Sequence, residues 1–146
     1  MFTRYRYILF ILYLFLVGYI VFFNGPRSIL TAESRDVHIE LIPFHNTGFT
    51  LAQLMDKSFA DQYVLLYNLI GNILLFVPFS FLLLYKSTRY TPLFVMSMAF
   101  LFSCSIECVQ YFFVCGITDV DDVILNTFGA CLGVVISRQL SGKYTM

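Results

Sequence analysis

Glu107 lies in a stretch from Pro92 to Gly116 where it is the only charged residue among 25. A charge at the centre of an apolar helix costs about 2.5 to 3.5 kcal/mol on insertion scales, so such a residue faces the interior of a bundle or a wet cavity rather than lipid. Ser103, Glu107 and Gln110 recur at i, i+4 and i+7, the spacing of one helix face. Asn68 and Asn72 repeat at i, i+4 further back, and Asp122, Asn126, Gly129, Gly133 and Ser137 form a third polar or small stripe. A carboxyl set among amides could act as an acid or base, and Asp119 and Asp122 could add further acids or divalent-cation ligands. Amide and hydroxyl groups at these spacings equally serve as glue between membrane helices, and Gly129-x-x-x-Gly133 lets two helix backbones approach.

The elements that must carry these residues follow from the apolar blocks. Tyr7 to Phe23 and Tyr63 to Tyr85 hold 17 and 23 residues without a charge, Pro92 to Gly116 holds 25, and Val123 to Ser137 holds 15, reaching Leu140 if Arg138 snorkels. A helix needs about 20 apolar residues to cross the hydrocarbon layer. Barrel strands would alternate apolar with polar positions, which Ile73 to Val77 does not. The expected fold is therefore all-α: a single polytopic membrane domain over 1–146 with helices at about 7–23, 63–85, 92–116 and 123–140. The outer segment, 24–62, is expected to carry a short interfacial helix opening near Thr50. Only 12% of the residues are charged against 59% hydrophobic, about half the charge of a soluble domain.

Arg4 and Arg6 before the first block resemble the basic region of a signal peptide. The run is long for one, however, and Asn24-Gly25-Pro26 makes a poor cleavage junction, so an uncleaved first helix is expected. Lysine and arginine collect on the cytoplasmic side of short loops. Arg4, Arg6, Lys86, Arg89, Arg138 and Lys143 share one side of a four-helix topology with no acid, a charge of +6. The other side carries −5, and Glu107 completes a net charge of zero. Both termini are then cytoplasmic. Counting inward at 1.5 Å per residue brings Asn68, Asn72 and Glu107 to similar depths, with Gln110 on the stripe of Glu107 and Asn126 opening the last helix, as one polar pocket in the outer half of the membrane, open towards Asp119, Asp121 and Asp122.

Cys104, Cys108, Cys115 and Cys131 lie inside the apolar blocks without a C-x-x-C pair, and read as small hydrophobes. No metal, cofactor or nucleic-acid site is expected. Pro78 is expected to kink the second helix or free the carbonyl of Leu74.

Three ordered motifs resemble the signatures of the VanZ-like family: Asn68-Leu-Ile-Gly-Asn72-Ile-Leu-Leu-Phe76-Val-Pro78-Phe79, Ser105-Ile-Glu107-Cys-Val-Gln110, and Thr118-Asp119-Val-Asp-Asp122-Val-Ile-Leu-Asn126-Thr127-Phe-Gly129-Ala-Cys-Leu-Gly133. Leu41-Ile-Pro43-Phe44 with Asn46-Thr47 is similar to that family's outer-segment motif. Ser80 departs from the family, where glycine commonly follows Pro-Phe. The resemblance implies a bacterial plasma-membrane protein and, for the founding member, a contribution to resistance against teicoplanin and related lipoglycopeptides without rebuilding of the peptidoglycan precursor. Expected partners are membrane lipids and either a lipoglycopeptide or a lipid-linked envelope precursor.

Three functions are open at this level. The chain is a non-enzymatic envelope protein lowering antibiotic access or binding at the outer face. Alternatively, it is an intramembrane enzyme acting on a lipid-linked headgroup through Glu107 and Asp119 or Asp122. A proton or ion pathway ranks last, because the inner half of the bundle offers little beyond Ser80 and Ser97.

Overall fold

Residues 2–23, 39–40, 42–43, 59–113 and 118–142 are described in the computed structural model. They form α1 (Phe2–Phe23), β1 (Ile39–Glu40), α2 (Phe59–Leu84), α3 (Pro92–Phe113), β2 (Thr118–Asp119) and α4 (Val120–Leu140). Each of the four helices is long and apolar enough to cross a membrane. Their outward faces carry Phe15, Leu93, Phe112 and Phe113, all about three-quarters exposed. In water such a surface would be an aggregation patch; against acyl chains it is matched to its solvent, and the helices satisfy their own backbone groups.

The ends of the helices are set by local chemistry. Thr91 opens α3 by accepting from Phe94 N at 3.2 Å, with Pro92 at the first helical position, where no amide is needed. Asp119 caps α4, its backbone extended at φ −132° and its carboxylate accepting from Asp121 N at 2.9 Å. At the end of α2, Lys86 takes the left-handed conformation at φ 50° and donates its amide to Ser141 Oγ at 3.1 Å, tying the α2–α3 link to the end of α4.

Three boundaries differ from those expected from apolar runs. α1 begins at Phe2 rather than Tyr7, α2 at Phe59 rather than Tyr63, and α4 at Val120 rather than Val123. In each case the first helical turns carry charged residues, so a count of uncharged runs begins after them. α2 ends at Leu84, one residue before Tyr85, and the described part of α3 ends at Phe113. Residues 114–117 and the expected interfacial helix from Thr50 lie outside the described residues.

α2 is the centre of the bundle. Gly129 and Gly133 of α4 lie directly on its backbone: a Cβ at Gly129 would fall on the Ile73 carbonyl oxygen, and one at Gly133 on that of Val77. Phe76, Phe79 and Phe102 stack between α2 and α3 with ring centroids 5.7 to 6.0 Å apart, and Phe10 meets Phe79 edge-on at 5.3 Å from α1. The Tyr13 hydroxyl of α1 donates to Leu75 O at 2.7 Å. That carbonyl adjoins Leu74 O, which Pro78, lacking an amide, leaves without its helical donor. At the far end β1 pairs with β2 in parallel, Ile39 opposite Thr118 and Glu40 opposite Asp119.

Candidate functional site

The polar stripes of α2, α3 and α4 meet at the end of the bundle that carries β2. Glu107 is buried, and its Oε2 accepts from Asp119 N at 2.9 Å, while the Thr118 hydroxyl donates to Glu107 O at 3.4 Å. The Glu107 carboxylate is thus aimed at the main chain that opens α4. Asn72 Nδ2 donates to Asp122 Oδ1 at 2.6 Å, a charge-assisted bond joining α2 to α4. One turn deeper, Asn126 Nδ2 donates to Ser103 Oγ at 2.8 Å, joining α4 to α3. Four hydrogen bonds made by side chains therefore stitch three helices around one polar layer.

The layer is dominated by oxygen acceptors. Asn126 Oδ1 and Gln110 Oε1 are buried and have no hydrogen-bond partner among the described residues. If the Asn126 amide were turned over, the same place would hold an unpartnered N–H₂, so half of that amide is left over either way. Asp121 and Asp122 lie in the first turn of α4, where the unpaired amides of the helix favour negative charge. No group of three or more His, Cys, Asp or Glu side chains is placed to hold a metal ion among the described residues.

Of the sequence candidates, the structure gathers Asn72, Glu107, Asp119, Asp122 and Asn126 into this layer, with Gln110 half-buried one turn from Glu107. Asn68 is also half-buried, one turn earlier on α2, and no hydrogen bond joins it to the layer among the described residues. Asp119 stands there with its carboxylate committed to the α4 cap. Asp121, expected only at the opening of the pocket, is buried to 2% exposure. The signal for it was three carboxylates within four residues immediately before an apolar run, the pattern of a capped helix start. Gly129 and Gly133 lie below the layer, at the contact with α2. Cys104, Cys108 and Cys131 are free thiols; Cys115 lies outside the described residues.

The charges separate along the bundle axis. Glu107, Asp119, Asp121 and Asp122 occupy the β2 end, whereas Arg6, Lys86, Arg89 and Arg138 sit at the opposite end, with the start of α1, the α2–α3 link and the last turn of α4. There the Tyr7 hydroxyl accepts from Arg89, holding that guanidinium above its usual pKa and fully charged.

Comparison with known proteins finds likeness in sequence. The profile of the VanZ/LLP1 family matches residues 10–141. Protein VanZ of Enterococcus faecium is 30% identical over 136 residues, covering 91% of this chain and 73% of the relative. No solved structure gives a significant match.

Proposed function

The chain belongs to the VanZ/LLP1 family, and from that premise we propose that it contributes to resistance against teicoplanin and related lipoglycopeptides as a multi-pass protein of the bacterial plasma membrane. In this reading it lowers antibiotic access or binding at the outer face of that membrane. The observation that carries it is the split of charge along the bundle. Basic residues collect at the cytoplasmic side, so the end with Arg6, Lys86, Arg89 and Arg138 faces inward, with both termini, and the polar layer faces outward. An acylated antibiotic anchored in the outer leaflet would meet that face first. The leftover amide groups of Asn126 and Gln110 favour a partner that presents hydrogen-bonding groups.

Binding is favoured over catalysis by Glu107, Asp119 or Asp122, because each of these carboxylates already carries a structural hydrogen bond, Glu107 and Asp122 between elements and Asp119 at the cap of α4. A group acting as acid or base would have to do so through its other oxygen while keeping that bond.

The test is a susceptibility panel of acylated and non-acylated glycopeptides on cells expressing the wild type or Glu107→Gln at matched levels. The wild type is expected to protect mainly against the acylated drugs. The glutamine variant keeps an oxygen for Asp119 N but loses the charge, and is expected to lose protection. Equal protection against both drug classes would refute the role of the acyl tail, and full protection by Glu107→Gln would remove that carboxylate from the function.

A further inference from the structure

The basic end of the bundle holds an arrangement that neither the polar layer nor the packing accounts for. Arg6 Nη2 and Arg89 Nη1 each lie 3.3 Å from the same Tyr7 hydroxyl oxygen. The two guanidinium groups are therefore no more than about twice that distance apart, sharing one neutral acceptor. Arg6 is 6% exposed, and its Nε and Nη1 are buried without a hydrogen-bond partner among the described residues. Each guanidinium also lies against an aromatic ring, Arg6 5.0 Å from the centroid of Tyr7 and Arg89 5.5 Å from that of Tyr90.

No Asp or Glu side chain lies nearby among the described residues to balance these charges. The sequence has no Asp or Glu between residues 1 and 32, 62 and 106, or 123 and 146, which covers α1, the α2–α3 link and the end of α4. A buried guanidinium with unpaired N–H groups beside a second one is stable only if an anion is supplied. Guanidinium forks match the oxygens of a phosphate, and two of them can each take one oxygen.

We infer that Arg6, Arg89 and Tyr7 form a binding site for the phosphodiester of an anionic phospholipid in the leaflet at this end of the bundle. The phosphate oxygens give Arg6 and Arg89 separate acceptors in place of the shared phenol, while the tyrosine rings flank the headgroup at the interface, where such rings concentrate. A zwitterionic lipid would bring an ammonium group towards two cations and is the poorer ligand. The site lies at the opposite end of the molecule from the polar layer and does not depend on the reading given to that layer.

The full chain, purified in detergent and mixed with phosphatidylglycerol or phosphatidylcholine, is examined by intact-complex mass spectrometry for retained lipid. The wild type is expected to retain phosphatidylglycerol preferentially. Arg89→Gln, at an exposed position that leaves the fold intact, is expected to reduce this about fivefold, the effect of one guanidinium beside an anionic lipid. Arg6→Gln should do the same, while Arg138→Gln, which removes an exposed charge from the same end, should leave retention unchanged. Equal loss in Arg138→Gln and Arg89→Gln would show diffuse attraction only and overturn the site. Undiminished retention in Arg89→Gln would also overturn it, as would displacement of the lipid by an excess of inorganic phosphate, which would reassign the site to the free anion.

Discussion

Replacing Gly129 with alanine sets two effects of known size against each other. A glycine inside a helix is less favourable than alanine by about 1 kcal/mol, so in open space the substitution stabilises. At Gly129 the new Cβ would fall on the Ile73 carbonyl oxygen, 2.9 Å from its carbon and 3.1 Å from Ile73 Cα. These are backbone atoms of the central helix, and no rotamer change relieves the clash. α4 must move away from α2 by about 1 Å to restore ordinary contact distances. Overpacking a filled contact costs about 1 to 3 kcal/mol, and the immobile backbone places this case at the upper end. The net expectation is a loss of about 2 kcal/mol, roughly a thirtyfold shift towards the unfolded state. Unfolding of the full chain in detergent micelles, followed by helical circular dichroism, measures it. Gly71→Ala is the control, because nothing lies within 4 Å of its added Cβ, and it should be as stable as the wild type or slightly more so. If Gly129→Ala proved as stable as Gly71→Ala, the close approach of α2 and α4 would be refuted.

The same assay checks three further expectations. Asn72→Ala leaves Asp122 without its amide donor and should destabilise by about 1.5 kcal/mol, the lower end for a bond to a charged group, since both residues are only half-buried. A double-mutant cycle with Asp122→Asn should give a coupling energy of at least about 0.5 kcal/mol. Tyr13→Phe removes the hydroxyl donated to Leu75 O beside the proline-opened turn, at an expected cost of about 1 kcal/mol. Ser80→Ala should be neutral or stabilising by up to about 1 kcal/mol, because its Oγ is fully buried with no partner among the described residues; marked destabilisation would mean that the hydroxyl is satisfied.

The candidate site was legible in its parts more than in its joins. Glu107 declares itself by being one charge in 25 residues, and the i, i+4 spacing of Asn68 with Asn72 places both on one face of α2. Spacing cannot say that Asn72 reaches Asp122 while Asn68, a turn away, joins no bond in the layer among the described residues. Nor could it say that Glu107 would accept from the backbone of Asp119. Asp119 and Asp122 look alike as acids in a loop, yet one caps a helix and the other crosses to a neighbouring helix. Asp121, between them, is the most deeply buried of the three. Its burial depends on where α4 begins, and the polar first turn conceals that start from any count of apolar residues.

The sequence by itself determined that there are four spanning helices, where their apolar cores lie, and which end of the bundle is basic and which acidic. These properties are local: apolar length, 3.6-residue periodicity and the chemistry of a cap are complete within about twenty residues. Only the tertiary structure decided which stripes meet. Asn72 and Asp122 are 50 residues apart, and Tyr13 and Leu75 are 62 apart. Their pairing depends on how closely α4 approaches α2 at Gly129 and Gly133, and on how α1 crosses α2 beside Pro78. Inter-axial distance and rotation arise from packing across the whole bundle, so they are absent from any one helix and become definite only when all four are in place.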